Sequence, residues 1–236
     1  MTYTATTWAQ EVKFGSKAGV NFAKISGEFY DAEYPEDNLR MNKGITAFHI
    51  GMFAEIKLTE KFALQPELLY SIQGGRYEIS QQGTDVIMGI PLEYNISGKL
   101  NWNLHYINIP IMAKYYARPN IAFEAGPYVG FNLKSEWKSE YNSTFTFQGE
   151  TTNESGKETE DIKRGTNSID FGLGIGASYF LGNGFFVGAR YNFGLSNIGK
   201  DFTDVQVDED GETTTTQLKA DNIKNGVIQI SVGYKF

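Results

Sequence analysis

The side chains that could do chemistry in this chain are few and scattered. His49 and His105 are the only histidines, 56 positions apart, and there is no cysteine. A zinc site needs three or four nitrogen or sulfur ligands brought close together, and no such spacing exists. Hydrolysis by the serine mechanism needs Ser, His and an acid within hydrogen-bond reach, and the spacing assembles no such set at a lipid-facing surface. Asp208-Glu209-Asp210-Gly211-Glu212 combines carboxylates with a glycine turn, as calcium requires. It lacks the alternating ligand spacing of a calcium loop, and a charge run is ordinarily a solvated loop. The sequence therefore predicts no enzyme, with no catalytic residue, no cofactor and no metal site.

Charge and composition narrow the field further. The net charge is −7, and phosphate backbones bind to basic patches, so nucleic acid is excluded as a partner. Tyr and Phe number 14 and 17, and 26 Gly stand against 6 Pro, the vocabulary of strands and tight turns. No run approaches the ~20 apolar residues of a membrane-spanning helix. Residues 1–12 (MTYTATTWAQEV) read as the remnant of a secretory leader or a disordered N-terminus, leaving 13–236 as one domain.

The elements that must carry these residues are strands. In the last one, Ile228, Ile230, Val232, Tyr234 and Phe236 share one face, and Gln229, Ser231, Gly233 and Lys235 the other. The same alternation recurs at 45–58, 62–73, 121–133, 168–181 and 185–196, and less regularly at 13–25 and 100–117. In 100–117 the apolar parity switches near Tyr106, which predicts a β-bulge there. Three connections are tight, at Thr59 to Lys61, Arg118 to Asn120 and Gly182 to Gly184; four are long, at 26–43, 79–100, 138–165 and 199–222. Eight antiparallel strands with short turns at one end and long loops at the other form an up-and-down transmembrane barrel, its short turns periplasmic and its loops extracellular.

Alternation alone also fits a soluble, lipocalin-like carrier, so the chemistry of the polar parity decides. It mixes glycines (Gly172, Gly174, Gly176, Gly188) with Lys17, Glu55, Glu67, Lys114, Glu124 and Arg190. Small and charged residues together suit a narrow interior, where buried charges survive only when paired. The opposite parity carries aromatics near strand ends, among them Phe62, Tyr179, Phe185 and Tyr234, as an interfacial girdle would. The expectation is apolar residues toward lipid and a luminal charge network within. The four long loops hold 20 acidic and 9 basic residues, so negative charge concentrates there. Within them Ile87, Met88 and Ile90 are unusually apolar, which marks either a contact for a partner or lipopolysaccharide, or, the favoured reading, an extension of the third and fourth strands.

The Lys17-Ala-Gly-Val-Asn start, LQPELLYS at 64–71, YINIPIMAKYY at 106–116, FEAGPYVGFNL at 123–133 and the terminal SVGYKF together resemble the outer-membrane β-barrel family of Bacteroidota, the porin-family or PorT-like barrels of small OmpA/OmpX type. The likeness runs from Lys13 to Phe236; Asn108 stands where the family usually has Glu before the Ile-Pro pair. It implies residence in the outer membrane of a Gram-negative bacterium and contact with its lipid and lipopolysaccharide. It carries over no catalytic residue. Ile228, Ile230, Val232, Tyr234 and Phe236 resemble the C-terminal signal read by the barrel-assembly machinery. The expected function is a structural, adhesion or interaction role through the acidic loops, with an unidentified protein as the candidate partner. Its alternatives are an accessory component of a secretion or uptake complex and, further off, a small porin or a soluble carrier. Eight strands leave an interior only wide enough for side chains, so no large pore is expected.

Overall fold

A computed structural model describes residues 11–31, 38–207 and 213–236. Eleven strands follow the chain: β1 Val12–Asp31, β2 Asn38–Leu39, β3 Lys43–Lys57, β4 Phe62–Ile87, β5 Ile90–Arg118, β6 Ile121–Phe147, β7 Glu150–Asp161, β8 Ile169–Phe180, β9 Phe185–Gly194, β10 Phe202–Val207 and β11 Thr213–Lys235. Each of β1, β3, β4, β5, β6, β8, β9 and β11 pairs antiparallel with the next, and β11 returns to β1 with Val20 opposite Ile230. The result is a closed eight-stranded barrel without edges in its body, the one sheet form that satisfies every backbone group inside a bilayer. β2, β7 and β10 lie off this ring and pair with β1, β6 and β11.

The alternation seen in the sequence sorts the side chains cleanly. Ile228, Val232, Leu173 and Phe131 are exposed on the barrel's outside at 41–59%, and the whole apolar parity of β8, β9 and β11 stands with them. A run such as Ile228 to Phe236 is as long as the ~9–11 tilted residues that cross a bilayer. Phe185 and Tyr234 meet edge to face with centroids 4.8 Å apart, and Phe62 and Tyr115 pack at 5.2 Å, so part of the girdle is paired across strands. A soluble carrier would bury these residues; with them outside and charge inside, that alternative is overturned.

Two sequence expectations are corrected inside the barrel. The register slips at the level of Tyr106, where a bulge was expected, but the extra residue is Leu133 on β6: His105 faces Lys134 and Tyr106 faces Asn132. β5 itself keeps one parity inward throughout, from Trp102 and Leu104 to Met112 and Lys114. What changes along β5 is the chemistry of the lumen. Toward the loops it is mainly apolar, filled by Ile25, Phe29, Met41, Trp102, Leu104, Tyr106, Ile162, Ile198 and Ile223, with the buried Asp170 held beside them by Tyr128, Ser196 and Asn225, and the ion pairs lie in its middle. An interior that is small and charged from end to end is not what forms.

The long connections are also more ordered than loops. Most of 79–100 belongs to a hairpin of β4 and β5, closed by Met88 (φ 53°) and Gly89 (φ 81°), the positive pair of angles that a tight hairpin turn demands. Gln148 and Gly149 close β6 onto β7 in the same way. Strands therefore rise beyond the barrel as a four-stranded wall, β4-β5-β6-β7. The N-terminal stretch 1–10 and Asp208 to Glu212 lie outside the described residues. Glu11 is already tied in, accepting the backbone N–H of Lys57.

Candidate functional site: a filled lumen and the wall above it

The six luminal charges predicted from the sequence sit together, each at most 8% exposed. Glu67 on β4 is the hub. Arg190 Nη1 and Nη2 donate to its two carboxylate oxygens at 2.9 and 2.7 Å, Lys17 Nζ lies 2.7 Å from Oε2, and Gln65 Nε2 donates to Oε1 at 2.7 Å. Arg190 Nε donates to Glu124 at 2.7 Å. Lys114 donates to Gln65 at 2.9 Å and lies 3.6 Å from Glu55 and 3.9 Å from Glu124. The six are balanced, three cations to three carboxylates, with the partly exposed Lys235 a further cation at the Glu55 edge, and the guanidinium fork meets one carboxylate with two parallel bonds, the geometry that holds arginine in place.

Toward the short turns the network ends in aromatic rings. Lys235 donates to Glu55 at 2.9 Å, as does Tyr116 at 2.6 Å. Phe180 stacks against Phe186 and Tyr116, with centroids 5.4 and 5.7 Å away, and Lys235 Nζ lies 4.4 Å from the Phe180 ring centre. The sequence reading missed Phe53, Phe180 and Phe186 as interior residues because each falls on the parity that otherwise reads as polar. The signal was the glycines: a Cβ on Gly15 would overlap the Phe53 ring, and one on Gly233 the Phe186 ring. Gly15 and Gly233 are therefore the seats of inward aromatics, as Gly172 is for the Tyr128 ring.

Above the ionic layer the lumen holds a neutral polar layer. His49 is 1% exposed; its Nδ1 bonds Asn21 Oδ1 and its Nε2 bonds Ser231 Oγ, both at 2.8 Å. The barrel thus brings a Ser-His-Asn set together that spacing alone could not reveal, since its members lie on β11, β3 and β1. It has no access for a substrate, for Ser231 is buried between the ionic layer and the apolar cluster. Asn21 Nδ2 also donates to Ser71 and to the carbonyl of Ile72, so the set reads as a cross-strand tie.

His105 lies on the outside, above the lipid-facing residues. Tyr70 Oη is 2.6 Å from its Nδ1, and Glu136 is 3.4 Å from its Nε2. Lys134 lies 2.7 Å from Glu136 and, by that hydrogen bond, holds the Glu136 carboxyl below its ordinary value. Among the described residues no cluster of His, Asp and Glu could hold a metal. Of the loop residues singled out from sequence, Ile87 and Ile90 flank the β4-β5 turn and Met88 sits in it, 98% exposed. They stand at the tip of the wall, away from the luminal network, while Ile228, Ile230, Val232, Tyr234 and Phe236 line the outer face of β11.

A closed barrel with a polar, ion-paired interior and an apolar exterior defines a β-barrel membrane protein. Residues 8–200 match the family model described as outer membrane protein beta-barrel domain, and the chain belongs to that family. It is therefore a protein of the Gram-negative outer membrane. No curated protein matches the chain. Among solved structures it is similar to Ail of Yersinia pestis in complex with the heparin analogue sucrose octasulfate (12% identity, TM-score 0.43, 96% of this chain and 99% of that one). It is also similar to OprG of Pseudomonas aeruginosa (12%, 0.43, 96% and 97%) and to the protease OmpT of Escherichia coli (10%, 0.36, 98% of each).

Proposed function

We propose that this protein is a non-conducting, non-enzymatic outer-membrane barrel that acts through the strands and acidic loops above it, in a structural, adhesion or interaction role. The observation that supports this reading is the filled lumen. Aromatic rings occupy its turn end, an ionic layer and the His49 layer its middle, and the Trp102 cluster its loop end. Among the described residues these layers fill the lumen and bury Ser231, the hydroxyl beside His49, which leaves the outer surface to do the work. The likeness of YINIPIMAKYY and SVGYKF to the PorT-like barrels of Bacteroidota belongs to the same reading, with the β11 outer face as the assembly signal. Outer-membrane lipid and lipopolysaccharide are the expected surroundings of the girdle.

Planar-bilayer recording from purified protein tests the first half: only background conductance is expected, and large steady pores would refute it. Pull-down from mildly solubilised outer membranes tests the second. A stable co-purifying protein would place the chain in a secretion or uptake complex; capture of surface ligands by the solitary barrel would favour adhesion.

A further inference from the structure

The wall above the barrel is a sheet with two unlike faces. β4 to β7 run in continuous register from the Tyr77-Leu100-Ser139-Glu158 row to the Asp85-Leu92-Phe147-Glu150 row. The face that continues the barrel's exterior is hydroxylic and closed on itself: Thr144 donates to Asn153 at 2.9 Å, and Thr146 bonds Thr151 at 3.1 Å. The face that continues the lumen is aromatic. Tyr94 lies over Gly83 and Tyr141 over Gly156, each ring occupying the place a side chain would take. Phe145 stands opposite Tyr94 and Phe147 opposite Leu92, both half-buried, and Tyr141 is 51% exposed.

An apolar sheet face is normally covered by a second layer. Among the described residues, β5, β6 and β7 contact their ladder neighbours and, at the base of β6, the short turn Lys163–Gly165, while Tyr141 on this face is left 51% exposed. The rim of this face indicates what would cover it. Glu150, Glu154 and Glu158 on β7 point to the same side as Phe147 and Tyr141, are exposed, and make no ion pair among the described residues. The sequence at 32–37 and 208–212 carries seven carboxylates and no basic residue, the same sign as this rim, and like charges repel. A second copy of this acidic chain is disfavoured on the same ground.

We propose that this face docks a cationic polypeptide segment in which basic and apolar residues alternate. Its basic groups meet Glu150, Glu154 and Glu158, and its apolar side chains lie on Tyr94, Phe145 and Phe147. Alternation matters because successive side chains of an extended segment point to opposite sides: a segment laid edge-on along the seam between the β7 carboxylates and the β6 aromatics turns its basic side to the one and its apolar side to the other. The proposal rests on the reading that the surface above the barrel does the work, and it names the site and the class of partner.

The test uses the full barrel in zwitterionic nanodiscs, with empty nanodiscs subtracted. The probes are capped peptides of about twelve residues that alternate Lys with Leu, Glu with Leu, or Lys with Ser. Saturable one-to-one binding of the Lys–Leu peptide is expected, with the other two markedly weaker. E150Q/E154Q/E158Q is expected to weaken it about tenfold, the sum of three exposed ion pairs, and F145S/F147S to weaken it comparably. The barrel below keeps its unfolding midpoint in both variants, because neither touches the lumen. Equal binding of the Lys–Ser peptide, or Lys–Leu binding untouched by both variants, overturns the proposal. A native partner that both variants still capture overturns the face assignment while leaving the surface role intact; steady conductance would instead defeat the surface role itself.

Discussion

Replacing Glu67 by Gln tests whether charge neutrality holds the luminal layer together. The carboxylate accepts bonds from Arg190, Lys17 and Gln65, and it is fully enclosed. Glutamine keeps the shape but offers a single acceptor oxygen, and its amide group turns donors toward the donors of Lys17 or Arg190. It also leaves the layer with three cations and two anions. Uncompensated charge in a buried network costs about 3–5 kcal/mol, so the urea midpoint of barrels refolded into lipid vesicles should fall by that equivalent. Trp102, inside the lumen, is a fluorescence reporter. Removing one cation as well, as E67Q/K17M, restores neutrality and is expected to recover more than half of the loss. That is a coupling a double-mutant cycle resolves. A loss below about 1 kcal/mol for E67Q, or a double variant no better than the two changes added, would refute the argument.

Three further outcomes follow from the same geometry. Gly233→Val places methyl groups where the Phe186 ring and the carbonyl of Ser16 already lie; overpacking of this kind costs about 1–3 kcal/mol and should appear as a lowered unfolding midpoint, whereas Gly182→Ala, with open space around it, should not. Asp201 accepts the backbone N–H of Ala220 and lies 3.0 Å from Lys219, and these bonds hold its carboxyl below the ordinary value. The tie is therefore complete above about pH 4 and lost as pH falls through the lower folded value, so the Ala220 amide signal should shift in that window in wild type and not in D201N. Substituting Ile87 and Ile90 by Ser changes only the hairpin tip beyond the barrel, so heat-modifiable migration on gels, a readout of the folded barrel, should be unchanged.

Much of this architecture is legible in the sequence because side-chain direction in a strand is a local property. Alternation places Phe131, Leu173, Ile228 and Val232 on one side whatever the strand pairs with, and glycines and charges on the other parity indicate that this side is not the core. The same rule brings Glu55, Glu67, Glu124, Lys17, Lys114 and Arg190 into one lumen, since a closed barrel has only one inside. Connection lengths further set the strand count and the up-and-down order.

What the tertiary structure alone decided depends on which strands are neighbours and at what height. The bulge belongs to Leu133 on β6 because a register slip is a relation between two strands, and the sequence of one shows only its symptom. His49 meets Ser231 and Asn21 because closure of β11 onto β1 carries residues 182 positions apart to 2.8 Å. Phe53 and Phe186 fit inside because Gly15 and Gly233, their direct partners on the neighbouring strands, leave room for the rings. The loops at 79–100 and 138–165 become a wall because β4, β5, β6 and β7 satisfy one another's backbone groups. Local chemistry is written along the chain, but cross-strand height is set only when the ring closes, and it is height that determines which side chains meet.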